Sequence, residues 1–395
     1  MAFATIDVTK GISGVTPVAN GGTALSSGFK NGVDPRENAK PIIINGNMAV
    51  AQRGTSASGK TSAGYYACDR WNFAISSGGT WTVSQDTDVP SGEGFLTSMK
   101  YDCTTAESSL GSAAYLQHRQ SIEGQNLQLL KKGTSNAEKI TISFWVKATK
   151  TGTNILELFD NTNNRQVSKA YTVSSSDTWE KKVVNFPADT SGALANNNSG
   201  ALNVQFYLGA GSNLSSGTLS ETWTAYTNAD RAVGQVNHAD STSNNFYITG
   251  VQLEVGEFSS TTLPPFQFED FGDNLARCQR YYNMLASGAV ATTNGGYNER
   301  LGVGYFQGSS LFFFIRDLPV PLRANPTIET VSGTNYFNVT RDGGEDNCDD
   351  IIFYTSSPNI ISMRVDGSTA TGSQGDPGII SINNTAARVA VTAEL

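Results

Sequence analysis

Histidine is almost missing from this chain of 395 residues, and the two present, His118 and His238, stand at no HExxH-like spacing. Metal-hydrolase chemistry needs imidazoles and carboxylates converging from fixed offsets, so it finds no support here. Cysteine is scarce too. Cys68, Cys103, Cys278 and Cys348 lie far apart without C-x-x-C spacing, too few to staple a small secreted scaffold and wrong for a zinc site. That usage fits a reduced folding compartment. Basic runs are absent as well: Lys+Arg 27 against Asp+Glu 35 gives 27 − 35 = −8, a field that repels phosphate backbones and excludes nucleic acid as a partner. No stretch approaches 18 consecutive apolar residues, and MAFATIDVTK has no basic-then-apolar leader pattern, so neither membrane insertion nor conventional export is expected. There is no GxSxG elbow, and the glycines of GISGV and GGTAL lack a GK[ST] ending that would hold a phosphate. Nothing marks a carboxylate pair for glycoside cleavage, and the densest acidic stretch, EDNCDD at 345–350, reads as a solvated loop. The expectation is a protein that is not an enzyme and uses no cofactor and no metal.

What is present is turn chemistry and alternation. Glycine is 40 of 395, about a tenth against the usual ~7%, and charged residues are only 16%. The length suggests two or three domains. Residues 1–40 are rich in Gly, Ser and Thr with few large apolar side chains, which reads as an attachment segment ordered by a partner. From Ile42 to Gly256, short alternating segments follow one another. ITISFWVKA puts Ile140, Ile142, Phe144, Val146 and Ala148 on one face, and LNVQFYL does the same with Leu202, Val204, Phe206 and Leu208. Segments 81–85, 98–103, 179–186 and 247–255 add further strands. The expected fold is mainly β: an antiparallel jelly-roll sandwich over 41–256, a Pro linker and short connecting helix over 257–286, and a C-terminal β-sandwich-like module over 287–395. In the linker, Pro264 and Pro265 read as a semi-rigid spacer. Asp273 reads as the N-cap of a helix of about 12 residues whose Leu275, Cys278, Tyr282 and Leu285 share one face. In the last module, Leu311–Ile315 is apolar on both faces, which suggests burial in a closed homo-oligomer, a homotrimer above all.

Candidate ligand residues are aromatic and polar pairs expected on outward strand faces: Trp145 with Lys147, Trp179 with Lys181, and Tyr207 with Gln205. Such pairs suit sugars, because an aromatic plate accepts the apolar face of a pyranose while amides and charges bond its hydroxyls. The Gly-rich polar loops of the last module add Tyr297, Asn298, Arg300, Asp342 and Asp346.

Several segments together resemble a known family. VTPVANGGTALSS (15–27) is similar to the proximal segment of bacteriophage tail-fibre proteins. IIINGNMAVAQRG (42–54), CDRWNF (68–73), TISFWVKAT (141–149), FYITGVQLEVG (246–256) and FEDFGDNLARCQRYY (268–282) look like the carbohydrate-binding-module-like jelly roll of phage tail and virion fibres. LPVPLRANPT (318–327) and VTAEL (391–395) resemble the module that often ends such chains. The resemblance implies a tail fibre acting in the virion at the host surface. It would be attached to a phage tail or virion protein through residues 1–40, homotrimeric, and in contact with host envelope polysaccharide, mainly through residues 287–395. A structural connector or head fibre without receptor affinity is the alternative, with a polysaccharide depolymerase behind it.

Overall fold

The computed structural model describes residues 40–288, 299–342, 344–366 and 370–395; apart from Lys40, the expected attachment segment lies outside the described residues. The chain is mainly β. Its first part forms β1 (Ser56–Lys60), β2 (Gly64–Tyr65), β3 (Asn72–Ser76), β4 (Thr80–Asp86), β5 (Ser98–Thr105), β6 (Tyr115–Glu123), β7 (Ile140–Ala148), β8 (Gly152–Asp160), β9 (Arg165–Val173), β10 (Glu180–Phe186), β11 (Gly200–Ala210), the short helix α1 (Ser212–Ser215), β12 (Thr224–Ala225) and β13 (Asn245–Val255). These strands make two sheets in the orders β1-β4-β5-β13-β7-β10 and β12-β9-β8-β11-β6-β3-β2. Strand pairings are antiparallel, as in a jelly-roll sandwich.

Alternation decides what lies between the sheets. Ile140, Ile142, Phe144, Val146 and Ala148 of β7 face Leu202, Val204, Phe206 and Leu208 of β11 across one continuous core, closed by Trp71, Phe73, Trp81 and Tyr101. His118 belongs to that core. Its ring stacks on Trp71 at 4.2 Å and its Nδ1 meets the Tyr101 hydroxyl, while burial drives its pKa down to about 3. His238 is buried likewise, with Nε2 2.7 Å from Asn154 Oδ1. The four cysteines are buried and unpaired.

The second part contains α2 (Phe271–Gln279), β14 (Tyr282–Ser287), β15 (Arg300–Phe306), β16 (Leu311–Asp317), β17 (Thr327–Val331), β18 (Phe337–Arg341), β19 (Gly344–Cys348), β20 (Ile352–Ser356), β21 (Ile360–Asp366), β22 (Pro377–Ile382) and β23 (Arg388–Thr392). A three-stranded sheet, β14-β23-β17, shares a core with a seven-stranded sheet, β19-β18-β22-β15-β16-β21-β20. The apolar run of β16 splits by alternation. Phe312 and Phe314 enter the core, whereas Ile315 on the other face is 59% exposed and Phe313 packs edge-on against Tyr354.

The connection between the two parts departs from the sequence expectation in three ways. The helix is capped by Asp270, whose side chain accepts from the Gly272 amide, and not by Asp273. It also stops at Gln279, because Tyr282–Ser287 pairs with β23; tertiary pairing overrides the helical period, and Tyr282 and Leu285 sit on a strand. Finally, the proline segment is no free spacer. Its Pro264 carbonyl accepts from Gln252 and the Phe258 carbonyl accepts from Asn185, which lays the segment along the outside of the first sheet.

The helix face that the sequence left unpartnered docks on the chain's own sandwich. Cys278 and Tyr281 pack against Ile44 and Val50. Around them runs a buried charged seam. Glu123 takes two hydrogen bonds of 2.8 Å from Arg280 and one from the Tyr281 hydroxyl. Desolvation opposes its charge, but those bonds outweigh it and hold the Glu123 carboxyl below the usual range. Arg70 and Arg53 of the sandwich pair with Glu394, next to the last residue of the chain. Among the described residues, no helix is long and apolar enough to cross a membrane.

Candidate functional site

The outer face of the first sheet carries the clearest site. Register sets its rows. Lys181 on β10 stands opposite Trp145 on β7, which stands opposite Thr249 on β13; one step along, Lys147 stands opposite Tyr247, itself opposite Lys100 on β5. Because i and i+2 share a face, Trp145 and Lys147 project together away from the core.

Trp145 lines a cleft of about 180 Å³ with Phe95, Phe266 and Phe268, over a floor that includes Ser143, Gly250 and Gln252, with Glu93 and Lys181 at the rim. The three phenylalanines pack on one another at centroid distances of 4.9–5.2 Å, and Phe268 remains 48% exposed. A bulge in β13 shapes the floor. Its register shifts between Thr249 and Gln252, and Gly250 takes φ +63°, where a Cβ would lie 2.6 Å from the Phe95 ring. Only glycine keeps that ring seated. The Gln252 amide nitrogen is used on Pro264 at 3.1 Å, while its Oε1 is buried without a hydrogen-bond partner among the described residues. Lys181 is exposed and forms no ion pair among the described residues. The arrangement offers aromatic walls, one open acceptor, one ammonium and one carboxylate. Its size, below the roughly 300 Å³ at which pockets for drug-sized molecules begin, suits a single ring more than an extended chain.

Lys147 and Trp179 face the same side but are already engaged. The Trp179 indole donates to Asp88 at 2.9 Å, Lys147 bonds the other Asp88 oxygen, and the Lys147 ammonium also sits 4.4 Å from the Tyr247 ring centre. Desolvation opposes the charge of Asp88, yet the bonds from Lys147 and Trp179 prevail and lower its pKa. This cluster braces the sheet beside the cleft: Trp179 is held on Asp88, while Lys181 lines the cleft with Trp145.

Gln205 and Tyr207 do not reach solvent. They project from the outer face of the second sheet, as alternation requires, but are 2% and 0% exposed because the segment around α1 covers that face with Leu214 and Ala232. The Tyr207 hydroxyl donates to Glu157 at 2.9 Å, and Arg231 grips the same carboxylate with two bonds of 2.8 Å. Burial, reinforced by Glu157, pushes the Tyr207 phenol well above its ordinary pKa.

The distal candidates that lie among the described residues do not assemble. Tyr297 and Asn298 lie outside the described residues. Asp342 is an exposed turn residue, and Arg300 opens β15, separated by β22 and β18 from the β19 strand that carries Asp346. Asp346 is occupied by Arg341 at 3.1 Å and by the Thr371 amide at 3.1 Å, which ties two loops together. Sequence reasoning missed Phe95, Phe266, Phe268 and Gln252. The available signal was FQFEDF at 266–271, three phenylalanines in a polar stretch just after two prolines.

No protein-family model matches the chain, and no curated protein matches it. Among solved structures it is similar to the enzymatically active domain of tailspike protein 4 of bacteriophage CBA120, at 16% identity and TM-score 0.27, over 47% of this chain and 19% of that one. It is also similar to a putative sugar binding protein from Bacteroides thetaiotaomicron VPI-5482, at 14% identity and TM-score 0.28, over 55% of this chain and 100% of that one. The third is TmCBM61 in complex with beta-1,4-galactotriose, at 10% identity and TM-score 0.28, over 55% of this chain and 99% of that one.

Proposed function

We propose that this protein is a phage fibre component that binds host-surface glycans without cleaving them, and that the Trp145 cleft on the sandwich is its contact site. The observation that carries the reading is the cleft itself: three phenylalanines and a tryptophan around the unpartnered Gln252 oxygen, with Lys181 free at the rim. Aromatic walls with few convergent polar groups are what a pyranose ring requires. In this reading residues 1–40 join the chain to a phage tail or virion protein. Host contact then moves from the distal module, where the described candidates Arg300, Asp342 and Asp346 are dispersed or engaged, to the sandwich.

Self-association as a homotrimer is part of the same proposal. The docked helix no longer argues for it, but the outer face of the second module does. Val303, Tyr305, Ile315 and Tyr354 are each more than half exposed there, on the neighbouring strands β15 and β16 and on β20, which β21 separates from β16. Weak single glycan sites would then gain avidity from linked copies. The test is a pull-down of purified protein on host envelope polysaccharide. Trp145→Ala, at a half-buried outer-face position, and Phe268→Ala, at one 48% exposed, should lower retention at least tenfold while the protein stays folded. Retention equal to the unmodified protein would overturn the assignment of the cleft, and sustained release of sugar or acyl product would overturn the non-catalytic reading.

A further inference from the structure

A second cleft, of about 460 Å³, opens on the outer face of the second sheet where the last residues of the chain dock, and nothing above uses it. Register brings its lining together. Arg119 and Ser121 are two apart on β6 and share a face; Asn203 on β11 stands opposite Ser121, and Asn161 follows the end of β8. Tyr65 closes one side, its hydroxyl donating to the Leu395 carbonyl at 2.9 Å, and Arg323 closes another.

Two features separate this cleft from ordinary wet surface. One is its charge. Arg119 forms no ion pair and no side-chain hydrogen bond among the described residues, although it lines a solvent-open groove beside other polar groups. Arg323 is held by carbonyl oxygens alone, those of Ala393, Asn198 and Glu394, so no carboxylate touches it. Glu394 in the lining is already paired with Arg70 and Arg53, and the Leu395 carboxyl oxygen is taken by the Tyr65 hydroxyl. Of the two guanidinium groups that line the cleft, Arg119 is therefore the one with its donors open among the described residues. The second feature is that its space is kept open: a Cβ on Gly200 would stand 2.4 Å from Ser121 Oγ and 3.7 Å from Leu395 Cβ, filling the floor.

We infer that this cleft binds an acidic saccharide, with the acid group on Arg119, the sugar hydroxyls on Asn161, Asn203 and Ser121, and the ring against Tyr65. A guanidinium matches a carboxylate or phosphate through two parallel hydrogen bonds, while amides and hydroxyls match sugar hydroxyls. The neutral, aromatic-walled Trp145 cleft has the opposite chemistry, so the two sites read different parts of a glycan or different glycans. The inference does not depend on the Trp145 assignment.

Saturation-transfer NMR on the full chain tests it with four probes: D-glucuronate, glucose 6-phosphate, D-glucose and acetate. Glucuronate or glucose 6-phosphate should give transfer that D-glucose and acetate do not, and comparing the first two tells a carboxylated from a phosphorylated ligand. Arg119→Gln should weaken binding of the acidic sugar at least tenfold, and Asn203→Asp, which sets a negative charge beside the site, should do the same if Arg119→Gln does not fold. Trp145→Ala should leave this binding unchanged. Equal transfer from D-glucose, or full binding by both folded variants, would overturn the proposal; loss only in Trp145→Ala would assign the acidic sugar to the other cleft and overturn it equally.

Discussion

Replacing Glu394 by alanine should loosen the second module from the sandwich at a cost far larger than a surface charge would carry. Its side chain is 8% exposed and its partner Arg70 is 1% exposed, so the pair is buried. Arg70 has other contacts: it donates to the Ser121 carbonyl at 2.7 Å and lies over the Tyr281 ring at 3.5 Å, but its Nε is unpartnered and Glu394 supplies its directly paired counter-charge. Removing Glu394 strands a desolvated guanidinium, which costs about 3–5 kcal/mol. The exposed pair Lys139–Glu257 provides the contrast, since surface pairs contribute about 0–1 kcal/mol. All five tryptophans, Trp71, Trp81, Trp145, Trp179 and Trp223, lie in the sandwich, so tryptophan fluorescence in urea reports the sandwich while limited proteolysis reports the second module. The expected result for Glu394→Ala is early proteolysis beyond residue 282 with a smaller change in fluorescence midpoint. Arg70→Met with Glu394→Leu should recover most of the loss, because the most buried guanidinium leaves with its partner while Arg53 keeps Asp69 at 4.0 Å. A loss below about 1 kcal/mol for the single variant would refute the seam as the lock between the modules.

Buried neutral histidines give a pH signature. His118 and His238 fall to about 3, chiefly through burial, below the ordinary 6.5 of the unfolded chain, so their stabilising contribution is full above pH 6.5 and is lost as pH falls toward 3. Each contributes a slope of about 1.4 kcal/mol per pH unit in that window, and His238→Gln should therefore lose about 2 kcal/mol less than the unmodified protein between pH 7 and pH 5 in urea midpoints. An unchanged difference would show that His238 titrates normally. Asp69 has the opposite sign: burial raises it to about 6 despite bonds from Gln52, so its contribution is present at low pH and fades as pH rises through 6. Ile315→Glu, at a 59% exposed position, should leave melting unchanged while shifting sedimentation toward a 42 kDa monomer, and an unshifted oligomer would remove the β16 face from the assembly.

Much of the fold was legible because strand alternation is local. Ile140 to Ala148 and Leu202 to Leu208 needed no knowledge of partners to show their inner faces. The helix boundary was not legible, since Tyr282 and Leu285 satisfy a helical period and a strand equally well; pairing with β23, a hundred residues away, decided it. Burial of outer faces was hidden for the same reason. Alternation correctly sent Gln205 and Tyr207 outward from the second sheet, but whether outward means exposed depends on the segment after β11, whose Leu214 and Ala232 lie on top.

Three of the segments that carry the resemblance, CDRWNF, FEDFGDNLARCQRYY and VTAEL, meet at one place. The first supplies Asp69 and Arg70, the second Arg280 and Tyr281, and the third Glu394, and with Arg53 and Glu123 they form the charged seam between the modules. The Trp145 cleft follows another logic. Trp145 comes from a regular strand and shows itself by alternation, but Phe95 comes from a loop, Phe266 and Phe268 from the connecting segment, and Gln252 is turned by a bulge at Gly250. No period links those positions, so only the folded chain brings them together. A surface assembled from loop and linker onto a fixed sheet can vary without disturbing the seam, so the residues that build the cleft are the ones the sequence marks least.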